Sequence, residues 1–121
     1  MSSEIVDDPL LKQAWHDVDR DGAERLLLKQ AIGTFLFRKD HFATDLQATL
    51  SRGLKKKVHC YTLSYLDGER IVRDKTVIYI DHQWMFYDDD PTLSTPKLHK
   101  LEHLLHSLRL GTLHPLFRRA A

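Results

Sequence analysis

The sequence predicts an α+β fold: a central antiparallel sheet flanked by two helices, one on each face. Three observations carry that prediction. An amphipathic stretch with Ala23, Leu26, Leu27 and Ala31 on one stripe stands ahead of every strand candidate. Short alternating runs then follow one another at 34–38, 58–65, 71–80 and 84–87. A second helical run, 98–108, closes the order with Leu98, Leu101, Leu104, Leu105 and Leu108 in register.

Residues 1–13 form a polar, acidic lead-in that docks near Leu10, Leu11 and Trp15. Asp17-Val18-Asp19-Arg20-Asp21-Gly22 mimics the start of a calcium-binding EF-hand loop. That loop needs a bidentate glutamate at its twelfth position, where this chain has Leu28. The helical spacing that follows makes Asp19 or Asp21 a helix cap instead. Gly33 introduces Thr34–Arg38, in which alternation puts Phe35 and Phe37 on one face and Leu36 and Arg38 on the other.

Between Arg38 and Tyr61 lie 22 residues. Leu46, Leu50 and Leu54 recur there at helical spacing and predict a short helix over 45–54. Gly53 and Lys55-Lys56-Lys57 lead into the next strand, 58–65. Its alternation puts Tyr61, Leu63 and Tyr65 on one face and Cys60, Thr62 and Ser64 on the other. Asp67-Gly68 is a tight-hairpin signal. The returning strand is 71–80, Asp81-His82-Gln83 turns into 84–87, and a loop at 88–96 ends the sheet.

Composition bounds the function. A chain of 121 residues is one domain, long enough to bury most of the surface its unfolded form exposes. Hydrophobic content of 42% and charged content of 29% are ordinary for a soluble globular protein. A formal charge of +1 argues against a nucleic-acid binder working through global charge. The single cysteine, Cys60, excludes an internal disulfide and fits a reducing compartment. Residues 1–10 carry acids and no long apolar run follows, so neither a signal peptide nor a membrane span is expected.

Few residues offer chemistry. His99-Xaa-Xaa-Glu102-His103 matches a zinc-peptidase pattern, with His106 extending the stripe. A catalytic zinc would need a third ligand, usually a downstream acid, and no Asp or Glu follows Glu102. The histidines are therefore expected on the exposed face of a core-packed helix. Cys60 and His59 are strand neighbours pointing to opposite faces, so a buried structural cysteine is expected. No phosphate loop, nucleophile elbow or nucleotide fingerprint is present. Neither catalysis nor a cofactor is expected. Arg38 remains: a guanidinium that close to a core is costly unless an anion meets it. Either an internal carboxylate or a ligand satisfies it, and that alternative decides the function.

Trp15, then Arg20-Asp21-Gly22-Ala23-Glu24-Arg25-Leu26-Leu27-Leu28, then Gly33-Thr34-Phe35-Leu36-Phe37-Arg38 resembles the opening of a Src homology 2 (SH2) domain. In that family a tryptophan starts the domain and a helix of the form Arg-x-x-Ala-Glu-x-Leu-Leu follows. A strand ending in Phe-Leu-Val-Arg then supplies the arginine that binds phosphotyrosine. Tyr61-Thr62-Leu63-Ser64 is similar to the family's third strand, and Leu98, Leu101, Leu104 and Leu105 to its closing helix. Gly111-Thr112-Leu113-His114-Pro115-Leu116 is similar to its tail. The ordered set covers about residues 15–117.

The resemblance implies an SH2-like sandwich at 14–117, with an insertion at about 41–57 and a tail at 118–121. It implies a phosphotyrosine-peptide binding module of tyrosine-kinase signalling whose partners are tyrosine-phosphorylated proteins, not nucleic acid or membrane. Arg38 would form the pocket floor, and Arg20 would reach the phosphate and ring from the side. This chain departs from the pattern in three places. Asp40 stands where the family usually has a serine, Val77 where a histidine is common, and the phosphate loop is expanded. The missing donors are therefore expected from Ser51, Thr62, Lys56 and Lys57, with the lysines lining the pocket. The peptide groove is expected at Ile78 and Tyr79, bounded by loop 88–96 and tail 109–114. A monomer acting in the cytoplasm is implied, and divergence of this kind is compatible with a bacterial effector working in a host cytoplasm. The rival is a structural SH2-like scaffold domain without phosphate binding.

Overall fold

The computed structural model describes residues 6–87, 99–108 and 111–117. In chain order they form α1 (Pro9–Gln13), α2 (Arg20–Leu27), β1 (Thr34–Arg38), α3 (His41–Leu54), β2 (His59–Leu66), β3 (Val72–Ile80), β4 (Gln83–Phe86), α4 (Leu101–His106) and β5 (His114–Pro115). The strands make one sheet in the order β4-β3-β2-β1-β5. The α+β class expected from the sequence is the one observed. The sheet is antiparallel from β1 to β4, but β5 joins β1 in parallel, so it is not antiparallel throughout.

Three helices start on an aspartate. Asp8 accepts from the Leu11 N–H at 3.0 Å, Asp19 from Gly22 at 2.8 Å and Asp40 from Ala43 at 2.8 Å. Each satisfies one of the amide donors that a helix start leaves open. The EF-hand mimic at Asp17–Gly22 is thus a cap. Capping by Asp40 also lets α3 begin at His41 rather than at residue 45, and it runs to Leu54, where Lys55 turns left-handed at φ 54°. The lead-in contains α1, a short helix the polar composition of 1–13 does not predict.

Turn chemistry sets the hairpins. The β3–β4 turn places Asp81 and His82 both at positive φ, 53° and 61°, the pattern of a two-residue type I′ connection. Asp67-Gly68 does not form such a tight turn. The Asp67 carboxylate instead accepts from the N–H groups of Glu69 and Ile71, both at 2.9 Å, and the left-handed residue is Arg70. The connection therefore spans residues 67–71 before β3 begins at Val72.

Among the described residues two helices lie on each face of the sheet, where one on each was expected. On one face Phe35, Phe37, Tyr61, Leu63, Tyr65 and Val77 pack with Trp15, Trp84, Leu11 of α1 and Leu101, Leu104 and Leu105 of α4. The opposite face carries two separate apolar patches. Ala23 and Leu27 of α2 cover Leu36, while Ala43 of α3 covers Val58, Cys60 and Ile78. Between the patches runs a buried polar strip that includes Arg38, Thr62 and Ser64. The split leaves α2 and α3 apart, and the gap between their N-terminal ends becomes a cleft that Arg38 of that strip lines.

The closing helix is shorter than the expected 98–108. It ends at His106, and Leu98 lies outside the described residues, as does the loop 88–96. Among the described residues no helix is long and apolar enough to cross a membrane.

Candidate functional site

The cleft between α2 and α3 encloses about 640 Å³. Val18 and Arg20 line it from the α2 side, and Lys39, His41 and Thr44 from the α3 side, with Arg38 at the bottom. Strand alternation turns Arg38 toward this face, and β1 ends there because Asp40 starts the next helix. The guanidinium belongs to a residue only 2% exposed. Its Nε donates to Ser64 Oγ at 3.0 Å, which fixes the plane of the fork.

Two carboxylates stand near the Arg38 guanidinium. Nη2 lies 3.3 Å from Asp74 Oδ2, and Nη1 lies 3.9 Å from Asp40 Oδ2. Asp74, on β3, is the focus of the site. Its Oδ1 accepts from Ser64 Oγ at 2.6 Å, and Arg20 Nε stands 3.6 Å from its Oδ2. Two arginines and a hydroxyl therefore converge on one carboxylate. The register explains how: Ser64 pairs with Leu36 on one side and with Asp74 on the other, so all three share the face that Arg38 occupies.

The other carboxylates of the cleft are also committed. Asp17 accepts from the indole N–H of Trp15 at 2.9 Å, and Asp19 and Asp40 cap helices. Lys39, on the cleft wall, donates to Gln47 Oε1 and to the Cys60 carbonyl at 2.7 Å. The arrangement can hold an anion at Arg38 and Arg20, provided Asp74 gives way.

Of the residues expected to bind phosphate, the structure brings Arg38, Arg20 and Thr62 to one region and separates the rest. Thr62 faces Arg38 in the β1–β2 register, and its buried hydroxyl has no hydrogen-bond partner among the described residues. Ser51 is engaged elsewhere, accepting from the Val58 N–H at 3.2 Å and donating to the Val58 carbonyl at 3.4 Å. It ties the end of α3 to the start of β2. Lys56 donates to Asp81 Oδ2 at 2.8 Å, at the β3–β4 turn. Asp81 stands seven residues past Asp74, roughly 20 Å along an extended strand. The lysine cluster that holds Lys56 and Lys57 therefore flanks the far end of the sheet. The loop expected to fold back over the pocket is instead helix α3, whose length carries the lysines away.

The expected groove residues do not form one surface. Ile78 is 7% exposed and lies under α3, packed with Ala43, Val58 and Cys60. Tyr79 points to the other face, its ring 4.6 Å from that of Trp84. Adjacent strand residues cannot share a groove, and the insertion that became α3 occupies the Ile78 side. Residues 88–96 and 109–110, expected to bound the groove, lie outside the described residues.

Burial pushes the Cys60 thiol up to about 11, against a smaller opposing effect of the Lys39 ammonium, so it is protonated at neutral pH. His99, His103 and His106 are exposed. Among the described residues no group of His, Cys, Asp and Glu could hold a metal ion. A groove of about 690 Å³ between α1, α4 and β5 is lined by Leu10, Leu101, Leu105 and Leu113. It is slightly larger than the cleft, but Arg38 is the only buried cation among the described residues and it belongs to the cleft.

Sequence reasoning missed Ser64 and Asp74 as partners of Arg38. The alternation already put Ser64 on the face of Thr62. Asp74 was hidden because only the strand register brings β3 beside that face. No family model matches the chain, and no curated protein matches it.

Proposed function

We propose that this domain binds phosphotyrosine-bearing peptides at the cleft between α2 and α3, without catalysis. The observation that carries the reading is the paired arginine geometry, with a deeply buried guanidinium at the floor and Arg20 aimed at the same point from the rim. A phosphotyrosine brings close to two negative charges and three acceptor oxygens. An arginine fork satisfies two of those oxygens at once, which an ammonium cannot. The cleft volume falls in the range of small-ligand sites. The unspent Thr62 hydroxyl lies beside Arg38 in the register. The resemblance to the SH2 domain supports the same reading, with Arg38 and Arg20 in the roles that its motif implies and the sheet sandwiched between helices. It also supports a part in tyrosine-kinase signalling in the cytoplasm, including as a bacterial effector in a host.

A second reading has its own observation. Asp74 already neutralises Arg38, as it would in an SH2-like scaffold domain that has lost phosphate binding. Calorimetric titration with a phosphotyrosyl peptide and its unphosphorylated twin separates the two. Saturable binding of the phosphorylated peptide alone supports recognition. Equal binding, or none of either, leaves the scaffold.

A further inference from the structure

The carboxylate that the arginines converge on fits them poorly. Charge-assisted contacts between guanidinium and carboxylate close to roughly 2.7–2.9 Å. Here Arg38 Nη2 stops at 3.3 Å and Arg20 Nε at 3.6 Å from Asp74 Oδ2, and Arg38 Nη1 remains 3.9 Å from Asp40. Only the Ser64–Asp74 contact is short, at 2.6 Å. The cation set is wider than the one carboxylate it surrounds. The two sides also differ in freedom. The Arg38 side chain is 3% exposed and fixed by Ser64, whereas the Asp74 side chain is 26% exposed and borders the open cleft.

We propose that Asp74 is a built-in occupant of the anion site, displaced by an aryl phosphate dianion and setting the affinity threshold that such a ligand must exceed. The inference rests on the phosphate-binding reading of the cleft. A phosphate monoester has twice the charge of the carboxylate and one more terminal oxygen, so it can engage both arginines at short range. On its arrival Asp74 turns into water, where a carboxylate is well solvated, while Arg38 stays in place. Without a ligand, Asp74 holds both guanidinium groups oriented and prevents an uncompensated charge at the floor. The device also selects against singly charged anions, which gain little by replacing one carboxylate with another.

The test compares wild type with Asp74→Asn, which keeps an acceptor for Ser64 and removes the charge. The probe is phenyl phosphate at constant ionic strength, with phenol as the control. Asp74→Asn should bind phenyl phosphate more tightly than wild type by roughly fivefold, including where wild-type binding is too weak to measure. In isotope-labelled wild type, saturation with phenyl phosphate should move the Asp74 carboxyl carbon signal, a readout that does not depend on the variant folding. Equal or weaker binding by Asp74→Asn, or an Asp74 signal unmoved at saturation, overturns the occupant role and leaves phosphate binding intact. Failure of both proteins to bind removes the phosphate reading itself, and the occupant with it.

Discussion

Arg38 is where the chemistry of this protein concentrates, and its neighbours determine what substitution should do. Truncating one partner of a buried, hydrogen-bonded charge pair costs roughly 2–5 kcal/mol, or about 30-fold to several thousand-fold in affinity. Arg38→Ala should therefore nearly abolish phosphopeptide binding. Arg38→Lys, which keeps the charge but cannot fork, should recover only part of it. Circular dichroism on both variants checks that the fold is retained. Asp40 offers the opposite test. Its carboxylate caps α3 and also sits 3.9 Å from Arg38. Serine caps about as well as aspartate, so Asp40→Ser should leave the melting temperature nearly unchanged. By removing a negative charge from the partly exposed wall it should tighten binding about two- to fivefold, an effect of about 0.5–1 kcal/mol that fades in high salt.

At the scale of elements, two joints carry predictions. Gly33 has φ 95°, and a Cβ there would lie 2.2 Å from the Thr112 carbonyl oxygen. That close approach is what seats β5, since His114 N–H donates to the Gly33 carbonyl at 3.0 Å. Gly33→Ala combines left-handed strain with a backbone collision, so it should destabilise by about 2 kcal/mol or more in urea unfolding. The second joint is the end of α3, which delivers Lys56 to Asp81. An exposed pair of this kind is worth about 0–1 kcal/mol. Lys56→Ala/Lys57→Ala should bind phosphopeptide within about twofold of wild type at low and high salt alike. A large low-salt loss would return these lysines to the pocket.

For the molecule as a whole, local patterns were legible and long-range pairings were not. Thr34–Arg38 has the boundaries that its alternation and Gly33 predict, because a glycine start and an aspartate stop flank a fully buried run. The α2 stripe and the α4 leucines likewise found their core faces. By contrast, His41–Thr44 carries too little apolar periodicity to announce the first turn of α3, and the cap at Asp40 is what starts it. That helix buries Ile78 and strands the lysines at the far end of the sheet, so the expected groove and pocket rim both changed with one element. Asp74 stands in a polar half-strand with Arg73 and Lys75, and nothing local distinguishes it from a solvated charge. Its role comes from register alone.

Phosphotyrosine binding at the α2–α3 cleft is a proposal about one place on the surface, and the residues that line that place can be followed individually. Its most direct test is an amide and side-chain chemical-shift titration of the labelled protein with a phosphotyrosyl peptide. Binding in the cleft should give saturable shifts at Arg20, Arg38, Thr44, Ser64 and Asp74, with Lys56, Ile78 and the α1–α4 groove unmoved. Saturable shifts centred on that groove or on the β3–β4 turn, with the cleft silent, would contradict it.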